Sequence, residues 1–438
     1  MTNSNVPGGG ALVTILNAQS LLGVILILAL CWALSEARGR FPWRLAIGAV
    51  AAQAALVLLF FGLPASRAVL GEAGAAVDGL SSSTQAGVKF VFGFLAGADG
   101  QPYSVTAPGA LFILAFRVLP VILVVCALSA LLWHWRILRW LTQAFGLLFE
   151  KTMGLRGAPA LATAATVFMG QVEGPIFIRG YLAALSRSEL FLLLTVGMSC
   201  VAGSTVVAYA TILKGVLPGA AAHVLTASLI SAPAGVLLAR ILIPREPDSE
   251  SPQDFDVVAA KMYESSIDAL MKGTGDGLQI VLNVGATLVV FVALIAMADG
   301  LLGLAGPVAG APVCVERGLG LLFSPLAWAM GIPWREAPTA GSLLGVKLVL
   351  TEFTAFIDLA KLAPGQLSDR SRVIMTYALC GFANIASVGI NVAGYSVLAP
   401  QRRAEVMAMV WKAMLGGFLA TCMTAAVVGA VPAAFYPR

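Results

Sequence analysis

Two acids stand in long apolar stretches, where the chain can least accommodate them. Glu173 lies in Gly170-Gln-Val-Glu-Gly-Pro175, and Glu352 in Lys347-Leu-Val-Leu-Thr-Glu-Phe353. An ionised carboxylate at a bilayer centre costs at least ~2.5 kcal/mol. Each acid therefore needs hydrogen-bond donors, a cation or a proton, and is expected to serve binding or coupling rather than packing. Gln171, beside Glu173, brings donors and acceptors together, which suits a planar heterocycle with mixed edges. Gly170, Gly174 and Pro175 interrupt any helix there, so the segment reads as a hairpin tip, and the Gln171 amide could also satisfy the exposed hairpin backbone. In the second half, Glu352 and Phe356 share a helix face, and Asn384 and Ser387 can point the same way. A carboxylate, an amide and a hydroxyl converging on one point suit a polyhydroxylated ring, on which Phe382 could pack. Glu189 and Asp358, near segment ends, read as acids at the edge of the apolar layer.

The elements that must position these residues are membrane helices. The chain has 438 residues, 59% hydrophobic and 11% charged, and its mean hydropathy is +0.90. A soluble domain carries about 25% charged residues, so lipid must be the solvent for much of this chain. The net charge of +5 is dispersed, and no basic run suggests nucleic-acid binding. Six scattered cysteines without a CxxC pair, and only two histidines, argue against a thiolate or imidazole metal site. No HExxH and no Walker sequence is present. The segment from Gly341 to Lys347 has the wrong spacing for a phosphate loop. A channel would need a continuous polar lining, whereas the polar residues here gather at one depth. The stretch before Leu21 has no Lys or Arg, so it reads as a retained span rather than a signal peptide.

Apolar runs of spanning length cover residues 18–34, 45–63, 109–132, 190–212, 219–243, 280–303, 373–398 and 404–430. Two further stretches, 157–185 and 341–362, carry more polar residues and breakers. The positive-inside rule places Arg38, Arg40 and Arg44 in the cytoplasm and both termini outside. Later basic loops, including those at Arg136, Arg156, Arg179, Arg187, Arg240 and Arg402, stay inside only if the two odd stretches return to the face they entered. They are therefore expected to be re-entrant hairpins, the first entering from the cytoplasm and the second from outside. Each precedes a span with a Gly/Ser/Asn cluster, so together they form an inverted repeat. Broken helices at mid-membrane are tolerated where they line a cavity or bind a solute. Short interfacial helices are expected at 85–95 and 315–330, and an amphipathic cytoplasmic helix at 254–272. The chain divides into 1–135 (three spans with an interfacial helix), 136–243 (first hairpin and two spans), 244–279 (cytoplasmic linker and helix) and 280–438 (remaining spans and second hairpin).

From about Leu21 to Ala430 the chain resembles the concentrative nucleoside transporter family. The resemblance is carried by Gly170-Gln-Val-Glu173, Gly197-Met-Ser-Cys-Val-Ala-Gly-Ser204, Asp276-Gly-Leu with Asn283-Val-Gly-Ala286, Lys347-Leu-Val-Leu-Thr-Glu-Phe353, and Ala378-Leu-Cys-Gly-Phe-Ala-Asn-Ile-Ala-Ser387. It implies an all-α integral membrane protein of eight spans, two opposed hairpins and interfacial helices, assembled as a homotrimer in the bacterial inner membrane. It implies that Gln171 and Glu173, the latter through water, face a nucleobase. Glu352, Asn384 and Ser387 would hold ribose hydroxyls, with Phe382 lining the site. Gly170 stands where the family varies between small residues that influence base choice. Val172 replaces a usual hydroxyl residue, which removes one base contact, and Thr351 and Phe356 replace a common Asn and Tyr. The implied partners are a nucleoside, a coupling cation and lipid, with no cofactor. The sodium site is degenerate. Thr166 replaces an Asn ligand and Cys200 a Ser, leaving carbonyls near Met169 and Val201, and a thiol is a poor ligand for a hard cation. A proton is therefore expected as the coupling ion, carried by Glu173 or Glu352, with sodium as the alternative. A modified nucleoside or a nucleobase is the alternative substrate.

Overall fold

The computed structural model describes residues 14–98, 113–155, 157–171, 173–176, 178–245, 262–304, 306–307 and 312–432. All regular secondary structure among these residues is helical. Six helical segments are long and apolar enough to cross a membrane: Ile15–Ala33, Trp43–Gly62, Leu114–His134, Ala220–Leu242, Ser266–Gly303 and Pro400–Ala430. They coincide with six of the eight expected spans. The other two, 190–212 and 373–398, are each a pair of short helices. The first pair is Arg187–Ser199 and Gly203–Leu213, and the second is Asp369–Leu379 and Ile385–Leu398. Each pair follows a helix, a tip and a second helical piece: Ala158–Met169 with Glu173–Ile176, and Ala337–Val349 with Glu352–Lys361.

Local chemistry sets these ends. Ser186 caps helix Arg187–Ser199 in a capping box: its hydroxyl accepts from the Glu189 N–H, and the Glu189 carboxylate accepts from the Ser186 N–H at 2.9 Å. Glu189 is thus a cap at a segment end. Thr351, Ser368 and Asn384 each cap the helix that follows by accepting from the N–H three residues on, without the reciprocal bond.

Three expectations change. The stretch 85–95 is not a separate short helix. Most of it is the end of one 29-residue helix, Pro64–Phe92. Pro64 suits a helix start, Gly93 turns the chain at φ +57°, and the glycines between them do not break the helix. Residues 254–261 of the expected cytoplasmic helix lie outside the described residues. From Ser266 the chain forms one 38-residue helix to Gly303, which absorbs the rest of that helix, the expected span 280–303 and the boundary at 279. Its early glycines permit close packing instead of breaking it: a Cβ on Gly273 would lie 2.7 Å from the Cys126 carbonyl oxygen. Finally, Ile137–Met153, read only as a basic loop, is a helix that buries Thr142, Gly146, Phe149 and Met153 at helical spacing.

The core lies around helices Arg187–Ser199, Ala220–Leu242 and Arg403–Ala430, which are buried along most of their length. Buried amides tie the outer helices to it. Asn17 Nδ2 donates to the Gly429 and Val431 carbonyls, each at 3.0 Å. Gln53 Nε2 donates to the Ile230 carbonyl at 3.0 Å. The most apolar part of Ser266–Gly303, by contrast, has no buried residue, and Val289, Leu294, Met297 and Leu301 stand outward.

Candidate functional site

The two broken helices meet at their breaks. The Phe382 N–H donates to the Cys200 carbonyl at 3.3 Å, and a Cβ on Gly381 would lie 2.9 Å from the Ser199 carbonyl oxygen. Ser228, from helix Ala220–Leu242, spans the first break. Its hydroxyl donates to the Val201 carbonyl at 3.1 Å and accepts from the Val201 N–H at 3.3 Å. At the second break, Asn384 Oδ1 accepts from the Ser387 N–H at 2.8 Å. These backbone groups at the breaks are thus paired, as burial requires of each.

The first hairpin delivers its tip to this junction. Helix Ala158–Met169 ends at Gly170, whose φ of +121° is a glycine conformation. Gln171 then packs against Gly197, where an added Cβ would come within 3.0 Å of the Gln171 Cβ. The Gln171 amide is held by two residues of the second broken helix. Its Nε2 donates to Ser387 Oγ at 3.2 Å, and its Oε1 accepts from Asn391 Nδ2 at 2.9 Å. Asn391 Nδ2 also donates to the Ser387 carbonyl at 2.9 Å.

The second hairpin delivers Glu352. Thr351 caps the returning helix, so Glu352 occupies its first position and turns inward. Asn384 Nδ2 donates to Glu352 Oε2 at 2.7 Å, and the Tyr209 hydroxyl donates to Oε1 at 2.7 Å. Tyr209 is fixed by stacking on Phe356, with ring centroids 4.6 Å apart, and by Phe353 edge-on at 5.9 Å. Lys347, one turn before the tip, is fully buried. Its Nζ donates to the Ala378 carbonyl and to Thr421 Oγ1, each at 2.7 Å, and lies 5.5 Å from the centroid of the Phe418 ring.

A cavity of about 200 Å³ opens between the tips and the breaks. Gly170, Gln171 and Glu173 line it from the first hairpin, and Glu352, Phe382, Asn384 and Ser387 from the second half. Val172 lies outside the described residues. Phe356 is buried behind the wall as the support for Tyr209. Thr166 is buried on the first hairpin helix and donates to the Ala162 carbonyl at 2.8 Å, with Met169 ending that helix. A Cβ on Gly203 would lie 3.0 Å from the Phe168 carbonyl oxygen, so the hairpin end and the break at Cys200 and Val201 are adjacent. Cys200 Sγ donates to the Ser228 carbonyl at 3.6 Å. Among the described residues, no group of three His, Cys, Asp or Glu side chains is placed to hold a metal ion.

Tyr209, Asn391 and Lys347 carried no assignment from the sequence. Asn391 stands four residues after Ser387, so helical spacing alone could have placed it on the same face. A lysine in an apolar hairpin was also a signal, since a buried ammonium demands acceptors. Tyr209 gave only an aromatic in an apolar helix, which reads as core.

Comparison with known proteins identifies the family. Residues 223–429 match the family described as Na+ dependent nucleoside transporter C-terminus. Residues 22–95 match its N-terminus, and residues 115–216 a family described as nucleoside recognition. The chain is 38% identical over 411 residues to the uncharacterized transporter YutK of Bacillus subtilis, covering 93% of this chain and 98% of that one. It is 32% identical over 416 residues to the nucleoside permease NupC of Helicobacter pylori, covering 94% and 96%. The solved structure of CNTnw in an inward-facing substrate-bound state matches with a TM-score of 0.87 at 35% identity, covering 95% of this chain and 98% of that one. A doubly substituted CNTnw in an outward-facing state matches with a TM-score of 0.88 at the same identity and coverage. The chain is therefore a nucleoside transporter, not an enzyme, and it belongs to the concentrative nucleoside transporter family.

Proposed function

We propose that this carrier is a cation-coupled secondary importer of nucleosides in the bacterial inner membrane, working by alternating access, with the proton rather than sodium as its coupling ion. The observation that carries the choice of ion lies at the first break. Cys200 presents there a buried sulfur that donates to the Ser228 carbonyl, 3.6 Å away. The sulfur of Cys200 adds no hard donor. Glu173 or Glu352, both lining the cavity, carries the proton in this reading. Sodium coupling is the alternative, favoured by the description of the matched family.

Gln171 and Glu173 would take the nucleobase, with Gly170 and Val172 tuning its fit. Glu352, Asn384 and Ser387 would take the ribose, with Phe382 against the ring. Each carboxylate oxygen has about two acceptor sites. Glu352 uses one on each oxygen for Tyr209 and Asn384, which leaves acceptor capacity for two sugar hydroxyls. In the membrane, the two broken helices would complete eight spans with the six long ones. The hairpins would be re-entrant from opposite faces, with both termini periplasmic. The outward apolar face of Ser266–Gly303 would meet lipid and the other copies of a homotrimer.

The test is uptake of labelled uridine and adenosine by vesicles with an imposed proton or sodium gradient. Uptake should follow the proton gradient, stop with a protonophore and ignore sodium. Uptake that requires sodium and survives the protonophore would reverse the choice of ion. Failure to take up either nucleoside would favour a modified nucleoside or a nucleobase as substrate.

A further inference from the structure

We infer that Asn391 decides which end of the Gln171 amide faces the substrate, and thereby which edge of a nucleobase the carrier prefers. This rests on the proposal that Gln171 faces the base. The orientation follows from a chain of contacts with one fixed end. A backbone carbonyl can only accept. The Ser387 carbonyl lies 2.9 Å from the Asn391 amide, so the amide atom there must be nitrogen. The same nitrogen lies 2.9 Å from the Gln171 amide, so Gln171 must present its oxygen to Asn391. Both hydrogens of Asn391 Nδ2 are then used. Its Oδ1 is buried with no hydrogen-bond partner among the described residues, so nothing there opposes this orientation.

With its oxygen held by Asn391, Gln171 turns its NH2 toward Ser387, 3.2 Å away, at the wall of the cavity that both residues line. One N–H meets Ser387 Oγ and the other is left for the substrate. Ser387 Oγ, already accepting, keeps its own hydrogen to donate. This corner of the site therefore offers donors, and it fits a base with an exocyclic carbonyl rather than an amino group at the edge it meets. Asn391 itself is fully buried and does not line the cavity, so it is a positioning residue that acts through Gln171.

Uridine and cytidine test the idea, because they share the sugar and present a carbonyl and an amino group at the same ring position. The unsubstituted carrier should show a KM for uridine lower than for cytidine by about fivefold, the worth of one hydrogen bond. In Asn391→Leu and Asn391→Ala the Gln171 amide is free to turn, and the ratio should fall toward one. Gln171→Ala should remove the preference as well. A preference kept by both Asn391 variants but lost in Gln171→Ala would overturn the assignment to Asn391 and leave Gln171 as the base contact. A preference kept in Gln171→Ala would overturn the base-contact reading itself. Equal KM values in the unsubstituted protein would overturn the inference directly, a comparison that needs no variant to reach the membrane.

Discussion

The Tyr209 hydroxyl donates to Glu352 Oε1 at 2.7 Å across 143 residues of chain. One residue comes from the first broken helix and the other from the second hairpin, so the bond joins the two halves at the site. It also means that the carboxylate is oriented before any substrate arrives, which lowers the entropy lost on binding.

Tyr209→Phe should therefore weaken uptake without unfolding the carrier. The ring stacked on Phe356 is retained and only the donor is lost. A hydrogen bond to a charged group is worth about 1.5–3 kcal/mol, so KM for a ribonucleoside should rise roughly tenfold or more. Labelled uptake, normalised to transporter in the membrane, measures this. An unchanged KM would show that Glu352 needs no help from Tyr209.

Thr421→Val should lower thermal stability. It keeps the shape of the side chain but removes one of the two oxygens that receive the buried Lys347 ammonium. Leaving a buried donor short of an acceptor costs about 1–3 kcal/mol. The melting temperature of the purified protein should fall, while Thr421→Ser, which keeps the hydroxyl, should stay close to the original.

Gly174→Ala should damage the first hairpin. The added Cβ would lie 2.2 Å from Thr166 Oγ1 and 2.9 Å from the Thr166 Cα and backbone nitrogen. Backbone cannot swing aside as a side chain can, and overpacking of this kind costs about 1–3 kcal/mol. Both thermal stability and uptake should drop. Thr166→Ser in the same background should not rescue them, because the hydroxyl and the backbone obstacles remain.

Outside the apolar layer, Glu36 accepts from Arg187 at 3.1 Å and pairs with Lys412 at 3.2 Å. The hydrogen bond from Arg187 leads in holding its carboxyl below the usual carboxylate range, with Lys412 adding to it. A depressed folded-state pKa gives stability that is fully present above the unfolded pKa, about 4.3, and is lost as pH falls through the folded value. Melting temperatures of the unsubstituted protein and Glu36→Gln should thus differ by a constant amount above about pH 5 and converge in more acidic buffer. The cluster is partly exposed, so the gap should be small and shrink with salt. A gap that widens on acidification would contradict this.

The sequence determined the solvent, the long spans and the principal polar wall of the site. Lipid forces apolar runs of a minimum length, and the cost of a buried charge makes Glu173 and Glu352 conspicuous. Glycines such as Gly170 and Gly381 stood where the helices stop, and the three-residue spacing of Asn384 and Ser387 put both on one polar face. Tertiary structure decided what those signals left open. Gly273 could have broken a helix, and only its close approach to Cys126 shows why the chain runs straight through it. Tyr209 and Asn391 carry no local sign of their partners, because the residues they hold lie 143 and 220 positions away. Spacing along a helix encodes which side chains share a face, but which faces meet depends on packing the whole chain, and a membrane site is assembled from faces that meet.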